Sequence, residues 1–211
     1  QGLHTKITQV AARELGLSVD KVRITATRTD KVPNTSPTAA SSGADLNGMA
    51  TRDACLRLKM RLLDFAAEHL AQPRVSLSLT DGELHGPSGV LMTWGELIQA
   101  AYLERISLSD KGFYATPDIH YDRASGTGHP FYYYAFGAAL CEVVVDTLSG
   151  EYRLESAEIL HDVGDSLNPA IDIGQIEGGF VQGMGWLTTE ELKWNEDGRL
   201  TVWCSTQGSF S

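Results

Sequence analysis

The stretch NTSPTAASSGADLNG, Asn34 to Gly48, consists of small and hydroxyl-bearing residues with no aromatic or basic side chain. Thr38, Ser41 and Ser42 offer hydroxyls, while Ala39, Ala40 and Gly43 leave the backbone uncovered. A helical pattern follows directly, and the start of a helix presents unpaired N–H groups and a partial positive charge. Together these are the means of gripping a phosphate without Lys or Arg. No GxxxxGK[ST] loop occurs, and an ordinary loop ending in a Ser or Asp cap has the same composition.

Two further stretches carry groups suited to binding. In DIGQIEGGFVQGMG, Asp172 to Gly185, Gln175 supplies an amide able to read the donor and acceptor edges of a planar heterocycle. No GxGxxG dinucleotide fingerprint is present there, and a buried helix packed tightly through its glycines explains the pattern as well. At the start, Gln1 precedes Gly2, an amide beside bare backbone, although a solvent-facing helix entry reads the same way. The six histidines lack the spacing that would put two on one helix face, so no protein-ligated transition metal is indicated. His161-Asp162 invites a triad reading, but there is no GxSxG elbow.

The elements that must position these groups are legible from periodicity. Leu3, Ile7, Val10, Ala11 and Leu15 trace an amphipathic helix that Gly16 is placed to end. KVRITAT, Lys21 to Thr27, alternates as a half-buried strand does. Leu46, Met49, Ala50, Ala54, Leu58, Leu62, Phe65 and Leu70 form one helical stripe, with Ser42 or Asp45 as the cap and Gln72-Pro73 as the stop. Asp81-Gly82 reads as a hairpin turn, and Thr93 with Glu96 as a capping box opening a helix from Trp94 to Glu104. Residues 131–164 predict two or three long strands turning near Ser149-Gly150, followed by a helix from Pro169 capped by Asn168. The glycines of that helix, each costing up to about 1 kcal/mol against Ala, suggest close approach by another backbone or a ligand. A last hairpin turns at Asp197-Gly198. Tight turns between neighbouring strands favour α+β with largely antiparallel sheets over a doubly wound parallel sheet.

Composition narrows the function classes. The 211 residues suffice for one large or two small domains, and 42% hydrophobic with 21% charged is ordinary globular usage. A net charge of -10 argues against sequence-independent nucleic-acid binding and leaves small molecules or proteins as partners. Cys55, Cys141 and Cys204 form no CxxC, so neither a disulfide framework nor a zinc site is indicated and a cytoplasmic location is expected. No apolar run approaches the roughly 20 residues of a membrane helix, and no signal-like segment opens the chain.

Three motifs in order resemble the xanthine dehydrogenase branch of the molybdenum hydroxylases: QGLHTKITQVA (1–11), VPNTSPTAASSGADLNG (32–48) and ILHDVGDSLNPAIDIGQIEGGFVQGMGWLTTEEL (159–192). GFYATP and FGAALCEVVVDTLSGEYR between them are similar to it as well, and the resemblance runs to about Thr201. It implies a molybdopterin-binding portion, 1–201, divisible into lobes of about 1–130 and 131–201, followed by an atypical tail at 202–211. It also implies molybdenum held by the cofactor's own sulfurs, with no side-chain metal ligand. Gln1, Gly2, Thr38, Ala39, Ala40, Ser41, Gly43 and Gln175 would contact the pterin or its phosphate or line that region. Gly43 is often a serine in the family, so one hydroxyl contact is expected to be missing.

The same resemblance implies a purine hydroxylase of purine catabolism, taking oxygen from water and passing electrons through iron-sulfur clusters and FAD on other domains or subunits, in a homo- or hetero-oligomer. The family's glutamate base lies in a Gly-Glu-Pro-Pro motif absent from this sequence, so no catalytic residue is assigned. Its substrate-reading Arg and Glu also lie outside the stretches matched. The expectation is therefore a fragment, inactive alone, of a molybdenum-dependent oxidoreductase. The alternatives are a binding or assembly fragment without cofactor, and an aldehyde or N-heterocycle hydroxylase of the same superfamily.

Overall fold

The computed structural model describes residues 2–25, 27–28, 30 and 41–201. The chain divides after Tyr133 into two units. Helices are interspersed with small sheets in which the paired strands are antiparallel, an α+β architecture.

The first unit is built on two helices, α1 (Leu3–Leu15) and α2 (Gly43–His69). Gly16 ends α1 as the sequence indicates, in the left-handed conformation at φ 68°. Val10 lies 4.0 Å from the position of an added Cβ on Gly48, and Arg52 donates to Glu14 at 3.0 Å. In both pairs the partners differ by 38 positions (48 less 10, 52 less 14), so the two helices run parallel. Carried back along them, the same offset sets Leu3, the first residue of α1, level with Ser41, just before α2.

Asp81 and Gly82, at φ 53° and 74°, make the turn between β1 (Ser78–Thr80) and β2 (Glu83–Gly86). Two successive left-handed residues match the twist of a two-residue hairpin. β3 (Gly89–Thr93) completes the sheet, and α3 (Trp94–Leu103) follows with the full Thr93/Glu96 capping box. Leu62, Leu63, Phe65 and Ala66 of α2 pack with Leu77, Leu79, Leu84, Leu97 and Ala101 into the buried core. Only the C-terminal half of the predicted stripe on α2 therefore reaches that core; in the N-terminal half the backbone at Ala50 and Ala54 meets Gly112, and α1 is met by Gly48 and Arg52 instead.

From Ser107 to Phe113 the chain forms a strap against α2. Arg61 donates to the carbonyls of Ser107 and Ser109 at 3.1 and 3.2 Å and pairs with Asp110, while the Phe113 N–H donates to Asp53 at 3.1 Å. A Cβ on Gly112 would lie 1.7 Å from the Ala50 carbonyl oxygen, so only glycine lets the strap lie this close. A hairpin of β4 (His120–Asp122) and β5 (Thr127–His129) follows.

In the second unit β6 (Gly137–Val145) pairs with β7 (Tyr152–His161) as a long ribbon turning through Gly150 at φ 80°. α4 (Pro169–Thr188) then starts where the sequence indicates, with the Asn168 side chain accepting from the Ile171 N–H at 3.2 Å. A bridge between Trp194 and Leu200 closes the turn containing Gly198.

Two expectations are corrected. Residues 22–25 form no strand; a single helical turn, Val19–Lys21, stands at the start of that segment. Alternation marks one apolar side, but a strand also needs an edge to pair with, and none of the described strands pairs there. Nor is α4 a buried helix packed tightly through its glycines: no residue of α4 is buried, an added Cβ on Gly174, Gly178, Gly179 or Gly183 meets nothing within 4 Å, and only one on Gly185 would crowd a neighbour, the Glu190 carboxylate at 2.9 Å. Glycines permit close approach without supplying the neighbour.

Candidate functional site

Because α1 and α2 are parallel and begin level with one another, their positive ends lie side by side. Gly2 is the N-cap of α1, left-handed at φ 65°, and has no side chain with which to cap. Ser42 is the N-cap of α2, yet its side chain makes no cap bond there. This differs from α3 and α4, whose Thr93 and Asn168 side chains do accept first-turn N–H groups. Ser41, directly before α2, is held at φ 56°, a conformation that costs a non-glycine residue about 1 kcal/mol or more and tends to occur at functional sites. Gly43 is buried at the first turn.

Of the residues singled out from the sequence, the structure thus gathers Gly2, Ser41 and Gly43 at one end of the α1/α2 pair. Gln1, Thr38, Ala39 and Ala40 lie outside the described residues. Gln175 stands in the second unit, exposed on α4, with Gly178 and Gly179 three and four positions on and so on its own face. Those two glycines leave the helix bare beside its amide. β7 and α4 also flank a cavity of about 400 Å³ lined by residues that include His161, Ser166, Asp172, Ile173 and Ile176, and Gln175 is not among them. Ser166 donates to Asp172, and no hydrogen bond joins it to His161, so the triad reading gains no geometry.

The donor chemistry suits a phosphate: a hydroxyl beside two aligned helix starts whose N-caps make no side-chain cap bond, with no Cβ at Gly2 or Gly43. Among the described residues no group of three or more His, Cys, Asp or Glu side chains could hold a metal. No helix of those residues is long and apolar enough to cross a membrane.

Fold and site together define a class. The molybdopterin cofactor-binding domain family matches residues 1–202, and the chain belongs to it. Its relatives are more particular. It is 47% identical over 197 residues to the xanthine dehydrogenase of Oryza sativa subsp. japonica, covering 93% of this chain and 13% of that protein. It is 45% identical over 200 residues to the xanthine dehydrogenase/oxidase of Felis catus, covering 95% of this chain and 14% of that one. The chain thus spans roughly one-seventh of the length of these relatives.

Among solved structures it is similar to quinoline 2-oxidoreductase from Pseudomonas putida 86, with a TM-score of 0.75 at 25% identity over 94% of this chain and 25% of that one. CO dehydrogenase from Oligotropha carboxidovorans shares the fold at a TM-score of 0.76 and 24% identity, over 95% of this chain and 24% of that one.

The sequence gives no sign of one contact at this end of α2. The Tyr133 hydroxyl donates to Asp45 at 2.7 Å across 88 positions, and no motif or periodicity links the two residues.

Proposed function

We propose that this chain forms part of the molybdopterin cradle of a xanthine dehydrogenase-type hydroxylase. In this reading Gly2, Ser41 and Gly43, with Gln1, Thr38, Ala39 and Ala40, hold the cofactor's phosphate end, while Gln175 offers its amide to the pterin. The observation that carries it is the pair of level, parallel helix starts whose N-cap residues make no side-chain cap bond, the arrangement in which first-turn N–H groups serve an anion. When bound, molybdopterin supplies the redox chemistry by which hypoxanthine and xanthine become urate with oxygen derived from water. The chain's own part is to bind and orient, and the proton-abstracting base and purine-reading side chains come from polypeptide outside it. Electrons leave through iron-sulfur and FAD domains or subunits, and the site is cytoplasmic.

A second reading, a subunit-contact module without cofactor, is favoured by the second unit, where none of the described residues is buried. The similarity to quinoline 2-oxidoreductase makes an N-heterocycle other than purine the alternative substrate class. Expression alongside the cofactor-making enzymes, followed by metal analysis and pterin fluorescence, separates the first two. Stoichiometric molybdenum with no xanthine turnover is expected, and an empty chain that self-associates would establish the module instead.

A further inference from the structure

Two helices carry an acid at the third position of the first turn, and the two acids behave differently. In α3, Glu96 reaches back, one carboxylate oxygen accepting from the Thr93 N–H and the Thr93 hydroxyl, each at 2.8 Å. That bond spends a donor of the helix start on the protein itself. In α2, Asp45 Oδ1 accepts from the Leu46 N–H at 2.9 Å, and Oδ2 accepts from the Tyr133 hydroxyl at 2.7 Å. The Leu46 N–H already serves the helix ladder, donating to the Ser42 carbonyl at 3.0 Å. Asp45 therefore draws on a donor that the helix itself already uses.

We propose that Tyr133 is a positioning residue for the anion-binding end of α2: its hydroxyl holds the Asp45 carboxylate so that the first-turn N–H groups stay available to the cofactor phosphate. The inference rests on the cofactor reading above. Without the phenol, a carboxylate in the first turn is free to fold back onto these donors and to repel an arriving phosphate. The bond has its own signature, because the hydrogen bond to Asp45, followed by burial and the carboxylate's charge, pushes the Tyr133 phenol up to about 12.

The test uses the full chain co-expressed with the cofactor-making enzymes, as wild type, Tyr133→Phe, Asp45→Asn and the double variant, with molybdenum and pterin measured per chain. Tyr133→Phe is expected to lower occupancy roughly fivefold, and adding Asp45→Asn to restore it, since the freed charge is then gone. A merely structural tyrosine would not be rescued by neutralising Asp45. Full occupancy in Tyr133→Phe, or a loss that persists in the double variant, overturns the proposal. Independently of cofactor, the ultraviolet titration difference between wild type and Tyr133→Phe isolates this phenol. Ionisation near 12 that drops in Asp45→Asn supports the bond, and an ordinary value in wild type overturns it. A wild type that shows the high phenol value yet takes up no molybdopterin overturns the cofactor reading, and the positioning role with it, while leaving the hydrogen bond in place.

Discussion

At the scale of single residues the proposed site depends on what α1 and α2 lack at their starts: side-chain caps, and Cβ atoms at Gly2 and Gly43. Ser41 holds a left-handed backbone directly before α2, two residues from its first turn. Replacing Ser41 with Asp puts a charge where the phosphate is expected. Cofactor retention should fall by at least about tenfold, with the melting temperature nearly unchanged because the residue is exposed. Metal content and thermal melts on the same samples check both halves, and undiminished molybdenum would count against the cradle. Composition alone does not mark Thr38 to Ser41 as a binding segment, and the proposal draws on its company with Gln1 and Gln175, because small polar residues are also what an ordinary loop uses.

At the scale of elements, α2 is the member that both core and site require, and the strap from Ser107 to Phe113 braces its middle. Gly112→Ala would drive a methyl into the Ala50 carbonyl, so a loss of about 3 kcal/mol is expected in chemical denaturation, at the upper end for overpacking. The strap is also acid-sensitive. The Phe113 N–H, then Arg57, hold Asp53 below its ordinary 3.8, while Arg61, then the Lys111 N–H, do the same for Asp110. A carboxylate depressed on folding contributes stability above its unfolded value, and that stability is lost as pH falls through the lower folded value. Protection of the amides at residues 107–113, taken relative to their intrinsic exchange rates, should therefore fall below about pH 4, and Asp53→Asn should weaken that dependence. Protection independent of acid would show that these carboxylates do not hold the strap.

At the scale of the whole molecule the two units differ in kind. The first has a contiguous buried core, whereas the second exposes Leu148, Leu160 and Leu187 at 97%, 77% and 88% and buries no described residue. A ribbon and helix with so little enclosed apolar surface open cheaply. In hydrogen exchange on the isolated chain, amides of β6 and β7 should lose protection at least about tenfold sooner than those of α3. Equal protection would show that the second unit is covered in solution.

Local chemistry determined much of this protein in advance. The limits of α1, the Asp81-Gly82 turn, the capping box of α3 and the Asn168 start of α4 follow from neighbouring residues, because caps and turns are satisfied within a few positions. The family was legible through long ordered motifs, and the residue types of the proposed site come from the same stretches. Tertiary structure alone decided what depends on partners distant in the chain: the parallel register that sets two helix starts level, the missing partner for residues 22–25, the approach of Gly112 to Ala50, and the Tyr133 bond to Asp45. Periodicity reports which side of an element is apolar but not which element meets it, so contacts across 38 or 88 positions come only from packing.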